Sequence, residues 1–394
     1  MYRIATLNKI SAAGLARLTD RYGMTDDISE AHGILVRSHD MHGMAFSKGL
    51  LAIARAGAGV NNIPVERCSS EGIVVFNTPG ANANAVKELV LTGLLMSARN
   101  LTRAIAWTKT LTDDVTKVVE KNKSQFAGEE IKGKTLGVIG LGFIGVLVAN
   151  AAELLGMRVV GYDPYISVKS AHELSHTVKI YDTLDDVLPK CDYITIHVPF
   201  MENTLGMFNE KSFSTMKDGV VLLNFSRDMI VRDADVLRAV KDGKVRNYVT
   251  DFPTEQLINV ENVICIPHLG ASTRESEENC AVMAVDEIMD YLENGNITHS
   301  VNFPKCNMGA PTTPMRVCIL NRNIPAMLQR ITGALAGMGA NINDMLNRSK
   351  DEYAYTLVDI DSCLDEDDIR QALRCNDGIV SIRVIYRDRA RAGS

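Results

Sequence analysis

Short runs of consecutive apolar residues, each followed by a stretch with helical spacing, fill the first three quarters of the chain. In the first hundred residues the runs Tyr2–Leu7, Gly33–Ser38, Leu51–Ala56 and Gly72–Thr78 predict strands, while Ala12–Tyr22 and a longer segment near Ala83–Arg99 predict helices. Strands that are apolar at successive positions are covered on both faces. Their alternation with helices implies a parallel sheet flanked by helices. A second unit of this kind begins near Gly133: Thr135–Gly140, Arg158–Tyr162, Tyr193–Val198, Gly219–Phe225, Tyr248–Asp251 and Val263–Pro267 read as strands, and Phe143–Leu155 as the first helix. The helical stretch Glu275–Glu293 is expected to leave this unit and return to the first sheet, making the first domain discontinuous.

The pattern then changes. Asn302–Pro314 carries Pro304, Gly309, Pro311 and Pro314 among small polar residues and reads as an exposed boundary. Beyond it, Met315–Leu320, Asn341–Arg348, Tyr353–Ile360 and Ile379–Tyr386 predict strands, the third alternating from side to side. Pro325–Met338 predicts an amphipathic helix with Leu328, Ile331, Leu335 and Met338 on one face, and Asp365–Arg374 a second helix. The order βαββαβ is that of a ferredoxin-like domain. The expected fold class is therefore α/β, with two Rossmann- or flavodoxin-like doubly wound parallel sheets and a C-terminal βαββαβ module. The expected boundaries are 1–97 with 275–305, then 98–274, a linker over 306–314, and 315–394.

A length of 394 residues suits two or three domains. With 46% hydrophobic and 23% charged residues the composition is globular. The net charge of −6 and the lack of a long basic block exclude nucleic acid and an anionic membrane as expected partners. The N-terminus has no secretory pattern and no apolar run reaches about 18 residues, so a cytoplasmic protein is expected. Cys68, Cys191, Cys265, Cys280, Cys306, Cys318, Cys363 and Cys375 are scattered without a CxxC pair; they read as reduced thiols, and no His/Cys cluster suggests a metal.

Candidate chemistry begins at Gly140-Leu-Gly142-Phe-Ile-Gly145, which follows an apolar strand and opens a helix. Gly140 permits the tight turn, Gly142 lets backbone approach a pyrophosphate, and Gly145 allows close helix–strand packing. The helix N-terminus offers free N–H groups to phosphate. Asp163, at the end of the next strand, suits the two ribose hydroxyls, and no Arg follows it to hold a 2′-phosphate, so NAD is expected rather than NADP. Three further polar residues stand at or just past strand ends, where open α/β sheets bind ligands: Arg227, Glu255 and His268. An Arg can hold a carboxylate through two hydrogen bonds. A His can take a hydroxyl proton as hydride leaves, and a carboxylate beside it can orient it and stabilise its protonated form.

With Arg55-Ala-Gly-Ala-Gly-Val-Asn-Asn62, Asn77-Thr-Pro-Gly80, Leu136–Gly145, His197-Val-Pro199, Asn224–Arg227 and Pro267-His-Leu-Gly-Ala-Ser272, the chain resembles the D-isomer-specific 2-hydroxy acid dehydrogenases over nearly its whole length. The resemblance implies Arg227, Glu255 and His268 as catalytic residues. It places Gly140, Gly142, Phe143, Ile144, Gly145, Asp163, His197, Pro199, Thr204, Asn224, Ser226, Asp251, His268 and Gly270 at the cofactor, with Asn224 and Asp251 near the nicotinamide. It places Arg55, Ala56, Gly57, Ala58 and Gly59 on the substrate side, and Lys87 within possible reach of a substrate phosphate. Lys121 and Lys123 fall where some members carry a basic residue that crosses to a partner's substrate, though a surface charge run explains them as well.

The last 80 or so residues resemble an ACT domain, with Asn321, Asn323 and Asn341 at positions that bind serine between two such domains. This module points within the family to members that oxidise 3-phosphoglycerate to 3-phosphohydroxypyruvate on the route to serine, with L-serine as effector and a homodimer or homotetramer as the assembly. Two other readings stay open: a dehydrogenase of another D-2-hydroxy acid, and a nonenzymatic NAD-sensing, corepressor-like protein. The chain departs from the family pattern at Asn61, where Asp is usual, and at Asp228-Met229, where small residues are usual. It departs again at Ala326, where Gly is usual, and in the segment from Asp251 to Glu255, which is one residue short.

Overall fold

The structure is a computed structural model and describes residues 1–374 and 377–387; Cys375 lies outside the described residues. The chain forms two compact units, Met1–Ala81 with Glu277–Ser394, and Asn82–Ser276.

The first unit opens with strands β1 (Tyr2–Thr6), β2 (Tyr22–Met24), β3 (Gly33–Val36), β4 (Ala52–Arg55) and β5 (Val74–Phe76), all parallel in the order β2-β1-β3-β4-β5. Every residue of β3 and β5 is buried, which is why their sequences do not alternate. The helix predicted over Ala12–Tyr22 is corrected. It is a single turn, Ala12–Leu15, and Tyr22 heads the edge strand β2 in register with Tyr2. A Cβ at Gly14 would sit 2.6 Å from the carbonyl carbon of Ala281, so glycine lets the short turn cross a neighbouring helix at close range. Tyr22 then finds a strand partner and a hydrogen bond to Glu293 (2.8 Å), and tertiary pairing overrides local helical spacing.

The second unit holds β6 (Thr135–Ile139), β7 (Arg158–Tyr162), β8 (Lys179–Tyr181), β9 (Tyr193–Ile196), β10 (Val220–Asn224), β11 (Val245–Thr250) and β12 (Val263–Cys265). They form one parallel sheet in the order β12-β11-β10-β9-β6-β7-β8. The chain winds one way from β6 to β8 and the other way from β9 to β12, so the topological switch lies between β6 and β9. β8 was not legible in the sequence: it is three residues long, at the sheet edge, and mostly exposed. The helix Ala83–Ala98 belongs to this unit, with Val86, Val90 and Leu94 in its core beside Val138 and Val249, although the sequence placed the change of domain at 98.

The helix Arg274–Asn294 passes from the second unit into the first. There it lays Cys280, Ala281, Ala284, Val285, Ile288 and Leu292 on the first sheet, a stripe with the i, i+4 spacing of an amphipathic helix. The module that follows has β13 (Met315–Arg322), β14 (Ile342–Lys350), β15 (Tyr353–Ile360) and β16 (Ile379–Tyr386), antiparallel in the order β14-β15-β13-β16. The helices Met327–Gly337 and Glu366–Arg374 share a core with one sheet face through Ile331, Leu335, Ile369 and Leu373. The predicted buried stripe is corrected at its start: Met327 is buried and Leu328 is 40% exposed. Both phases fit a 3.6-residue period, and packing chose between them. The opposite face, with Cys318, Leu320, Tyr355 and Leu357, joins the core of the first sheet. β15 is accordingly buried almost throughout, where one solvated face was expected. The expected exposed linker is also drawn in: Asn302, Phe303, Cys306 and Thr313 are buried, and Ile297 pairs with Cys306.

Candidate functional site

The second unit gathers most of the predicted site at the C-terminal ends of its strands. Gly140 follows β6 with φ +93°, and a Cβ there would meet the His197 carbonyl group at 2.7 Å. A Cβ at Gly145 would collide with the Gly140 carbonyl oxygen, so the Phe143–Leu154 helix can start this close to the strand only without one. At Gly142 a Cβ would meet nothing within 4 Å, leaving open space before the helix N-terminus. Asp163, just past β7, accepts from the Leu141 amide (2.8 Å) and the Tyr165 amide (2.8 Å). It thereby ties the glycine loop to the next strand, and its two oxygens keep lone pairs for ribose hydroxyls. Open space, a helix N-terminus and a carboxylate at the neighbouring strand end fit a dinucleotide.

At the ends of β9 and β10, several predicted cofactor residues use their polar atoms to shape loops. His197 Nε2 lies 3.0 Å from Thr195 Oγ1, its Nδ1 is enclosed, and burial pushes the imidazole down to about 3, so it is neutral. Thr204 donates to the Pro199 carbonyl (2.7 Å) and accepts from the Met201 amide (2.8 Å). Ser226 Oγ donates to the Val198 carbonyl. Asn224 is buried, accepts from the Ser226 amide (3.1 Å) and donates to the Arg227 carbonyl (2.9 Å), fixing the turn that presents Arg227. The Arg227 guanidinium is exposed and donates to the Ser226 carbonyl (2.6 Å), a contact a substrate carboxylate could replace.

Asp251 follows β11, and His268 stands three residues past β12. Asp251 is 1% exposed, and neither of its oxygens makes a hydrogen bond of ordinary geometry among the described residues. Burial raises its carboxyl above the usual range; His268, the Gly270 amide and Arg227 pull the other way. His268 is exposed, with its ring centroid 4.7 Å from that of Phe252. Gly270 is buried beside Asp251. Glu255, expected next to His268, is exposed and makes no hydrogen bond or ion pair among the described residues. Phe252 escaped sequence reasoning because nothing in a loop aromatic signals which ring it will meet.

In the first unit Arg55 ends β4 and donates through Nε to the Arg37 carbonyl (2.9 Å), and Ala56 is buried. The Gly57 carbonyl accepts from the Thr78 amide (3.1 Å) and the Ala58 carbonyl from Asn77 Nδ2 (2.5 Å), so the segment up to Gly59 is held from below. In the second unit Lys87 donates to Asn84 (2.6 Å) on its own helix, Lys123 pairs with Glu120 (2.6 Å), and Lys121 is exposed. In the C-terminal module Asn321 is buried and donates to the Arg322 carbonyl (2.7 Å), Asn323 donates to the Asp351 carbonyl (3.3 Å), and Asn341 donates to Asp361 (3.0 Å).

Comparison with known proteins gives the family. The family model described as D-isomer specific 2-hydroxyacid dehydrogenase, NAD binding domain, matches residues 91–270. D-3-phosphoglycerate dehydrogenase 1 of Saccharomyces cerevisiae is 30% identical over 393 residues, covering 92% of this chain and 80% of its own. The D-3-phosphoglycerate dehydrogenase of Archaeoglobus fulgidus is 34% identical over 288 residues, and the match spans 71% of this chain and about half (53%) of that relative. The NAD+-bound crystal structure of 3-phosphoglycerate dehydrogenase from Entamoeba histolytica superposes with a TM-score of 0.60 at 25% identity, over 76% of this chain and 98% of that one.

Proposed function

The chain belongs to the D-isomer specific 2-hydroxyacid dehydrogenases, and from that premise we propose that it oxidises D-3-phosphoglycerate to 3-phosphohydroxypyruvate with NAD. The observation that carries the substrate is the match to the yeast enzyme over nearly the whole of this chain. In this reading the Gly140–Gly145 loop and the helix N-terminus hold the pyrophosphate, with Phe143 and Ile144 against the cofactor and Asp163 on the ribose hydroxyls. NAD, when bound, supplies the hydride acceptor for the C2 hydrogen. Arg227 takes the substrate carboxylate in a two-pronged hydrogen bond. His268 receives the C2 hydroxyl proton as the carbonyl forms and returns it in the reverse direction. Arg55, Ala56–Gly59 and Lys87 are proposed for the substrate's side. Serine is proposed as an effector of the C-terminal ACT-like module, within a homo-oligomer.

The deciding assay is NADH oxidation with 3-phosphohydroxypyruvate beside pyruvate, hydroxypyruvate and 2-oxoglutarate. 3-Phosphohydroxypyruvate should give the highest kcat/KM by about tenfold or more, equivalent to about 1.4 kcal/mol. A different preferred oxo acid would reassign the substrate, and NADH binding with no turnover of any of them would point to a sensor.

A further inference from the structure

We infer that the second unit carries a further binding site, away from the glycine loop, for a free neutral amino acid with a polar side chain. Toward the N-terminal ends of β11 and β12 lies a cavity of about 250 Å³, where these strands meet the junction of the helices Ala83–Ala98 and Leu101–Thr108. Its walls are mainly apolar, from Met96, Ala106, Val263 and Ile264, and few polar groups enter it, as in sites that take small molecules. Asn247 on β11 is one of those groups. It is 6% exposed, and its side-chain amide makes no hydrogen bond among the described residues. Buried amides normally have partners, so this one offers a donor and an acceptor to whatever fills the cavity.

Both signs of charge are available beside it. Asn100 gives the Leu101–Thr108 helix no side-chain cap, so the first amides, those of Thr102 and Arg103 in the lining among them, lack an intrahelical partner. Such a helix start favours an anion. The last turn of the Ala83–Ala98 helix, with Met96 and Ser97 in the lining, brings the partially negative end of a helix to the same cavity. At the rim Arg103 and Glu261 stand 4.0 Å apart, with side chains 55% and 76% exposed. A pair this exposed contributes little by itself, so a ligand separates it at small cost. A zwitterion matches the set: its carboxylate on Arg103 and the uncapped amides, its ammonium group on Glu261 and the end of the Ala83–Ala98 helix. A neutral polar tip then pairs with Asn247, and an amide tip meets both its donor and its acceptor. A simple anion would leave Glu261 and Asn247 without a role.

The test is calorimetric titration of the full chain with L-glutamine and with L-asparagine, of which at least one should give saturable heat. The N-acetyl derivative of the binder, which has no ammonium group, should bind about tenfold more weakly or worse. Arg103→Gln should weaken binding by about fivefold or more, through loss of a charged hydrogen bond. Asn247→Leu, close in volume, should weaken it by about tenfold or more, the cost of leaving the ligand's amide unpaired. Saturating NADH should not displace the amino acid, because the glycine loop lies at the other end of the strands. No heat with either amino acid, an unchanged affinity in Arg103→Gln, or displacement by NADH overturns the proposal. Arg103 is an exposed rim residue, so its variant decides the matter even if Asn247→Leu does not fold. The titration needs no turnover and stands apart from the substrate assay.

Discussion

Ala326 shows how one side chain can be held against its own preference. It caps the Met327–Gly337 helix at φ +64°, ψ 7°, the left-handed region that a Cβ disfavours. The family resemblance has Gly there, and the structure shows the backbone still needs what Gly would provide. Ala326→Gly should therefore stabilise the protein by about 1 kcal/mol, the relief of left-handed strain exceeding the extra chain entropy of Gly. Urea denaturation of the two proteins checks this, and a loss of stability would mean the position is not strained. At the same scale, Asp163 and Asn224 each use a short polar side chain to tie a loop to a strand end, which places the glycine loop and Arg227 before any ligand arrives.

Among the elements, the helix Arg274–Asn294 carries the most weight. Its terminal carbonyls would be unsatisfied, yet Leu292 accepts from Tyr2 (2.8 Å), Tyr291 from Arg383, and Asn294 from Arg316 (2.8 Å). Two guanidinium groups at a helix C-terminus also oppose its dipole favourably. Arg316 is 0% exposed and is compensated by Asp359 through two hydrogen bonds of 2.6 and 2.7 Å. The C-terminal sheet thus caps the helix, which is why the preceding segment is packed and not a free tether. Midway along the helix, Glu287 is 8% exposed and shares a hydrogen bond with His299 Nδ1; burial pushes its carboxyl up to about 9. An unfolded glutamate ionises near 4.3, so between that pH and about 9 the folded state keeps a proton that the unfolded state has released. Stability from this group therefore declines as pH rises through that window. Glu287→Gln should remove the decline, so that the difference in urea midpoint between variant and wild type grows from pH 5 to pH 9 in favour of the variant. A difference that is flat or grows the other way would show that Glu287 is ionised in the folded protein.

For the molecule as a whole, the open question is how serine would act. Asn321 pairs with Ala354 at one end of β15, and Ile342, next to Asn341, pairs with Ile360 at the other. Six residues of strand separate them, about 20 Å. Asn321 and Asn323 cannot share one small zwitterion with Asn341 of the same chain, so the proposed site requires a second copy. L-Serine titrated calorimetrically into the full chain should give binding heat and inhibition that does not compete with the oxo acid, and Asn341→Ala should abolish both. Since the effector can shift the enzyme only by its differential affinity for two states, serine binding without inhibition would leave the module without a regulatory role. Absence of serine heat would make it an assembly module.

The parallel sheets, the βαββαβ order, the glycine loop and the strand-end positions of Arg227, Asp251 and His268 were legible in the sequence, because each follows from local periodicity or from a steric need that only certain residues meet. Tertiary structure alone decided the rest. Tyr22 joined a sheet edge because Tyr2 was there to pair with, and Met327 displaced Leu328 because two helical phases fitted equally and the core accepted one. The proline-bearing segment at 302–314 became packed because Arg316 and Tyr355 had a helix end to cap. At the end of β11 Asp251 is enclosed and Glu255 lies in water, a difference the sequence did not show, because enclosure depends on what the chain brings from far away in sequence.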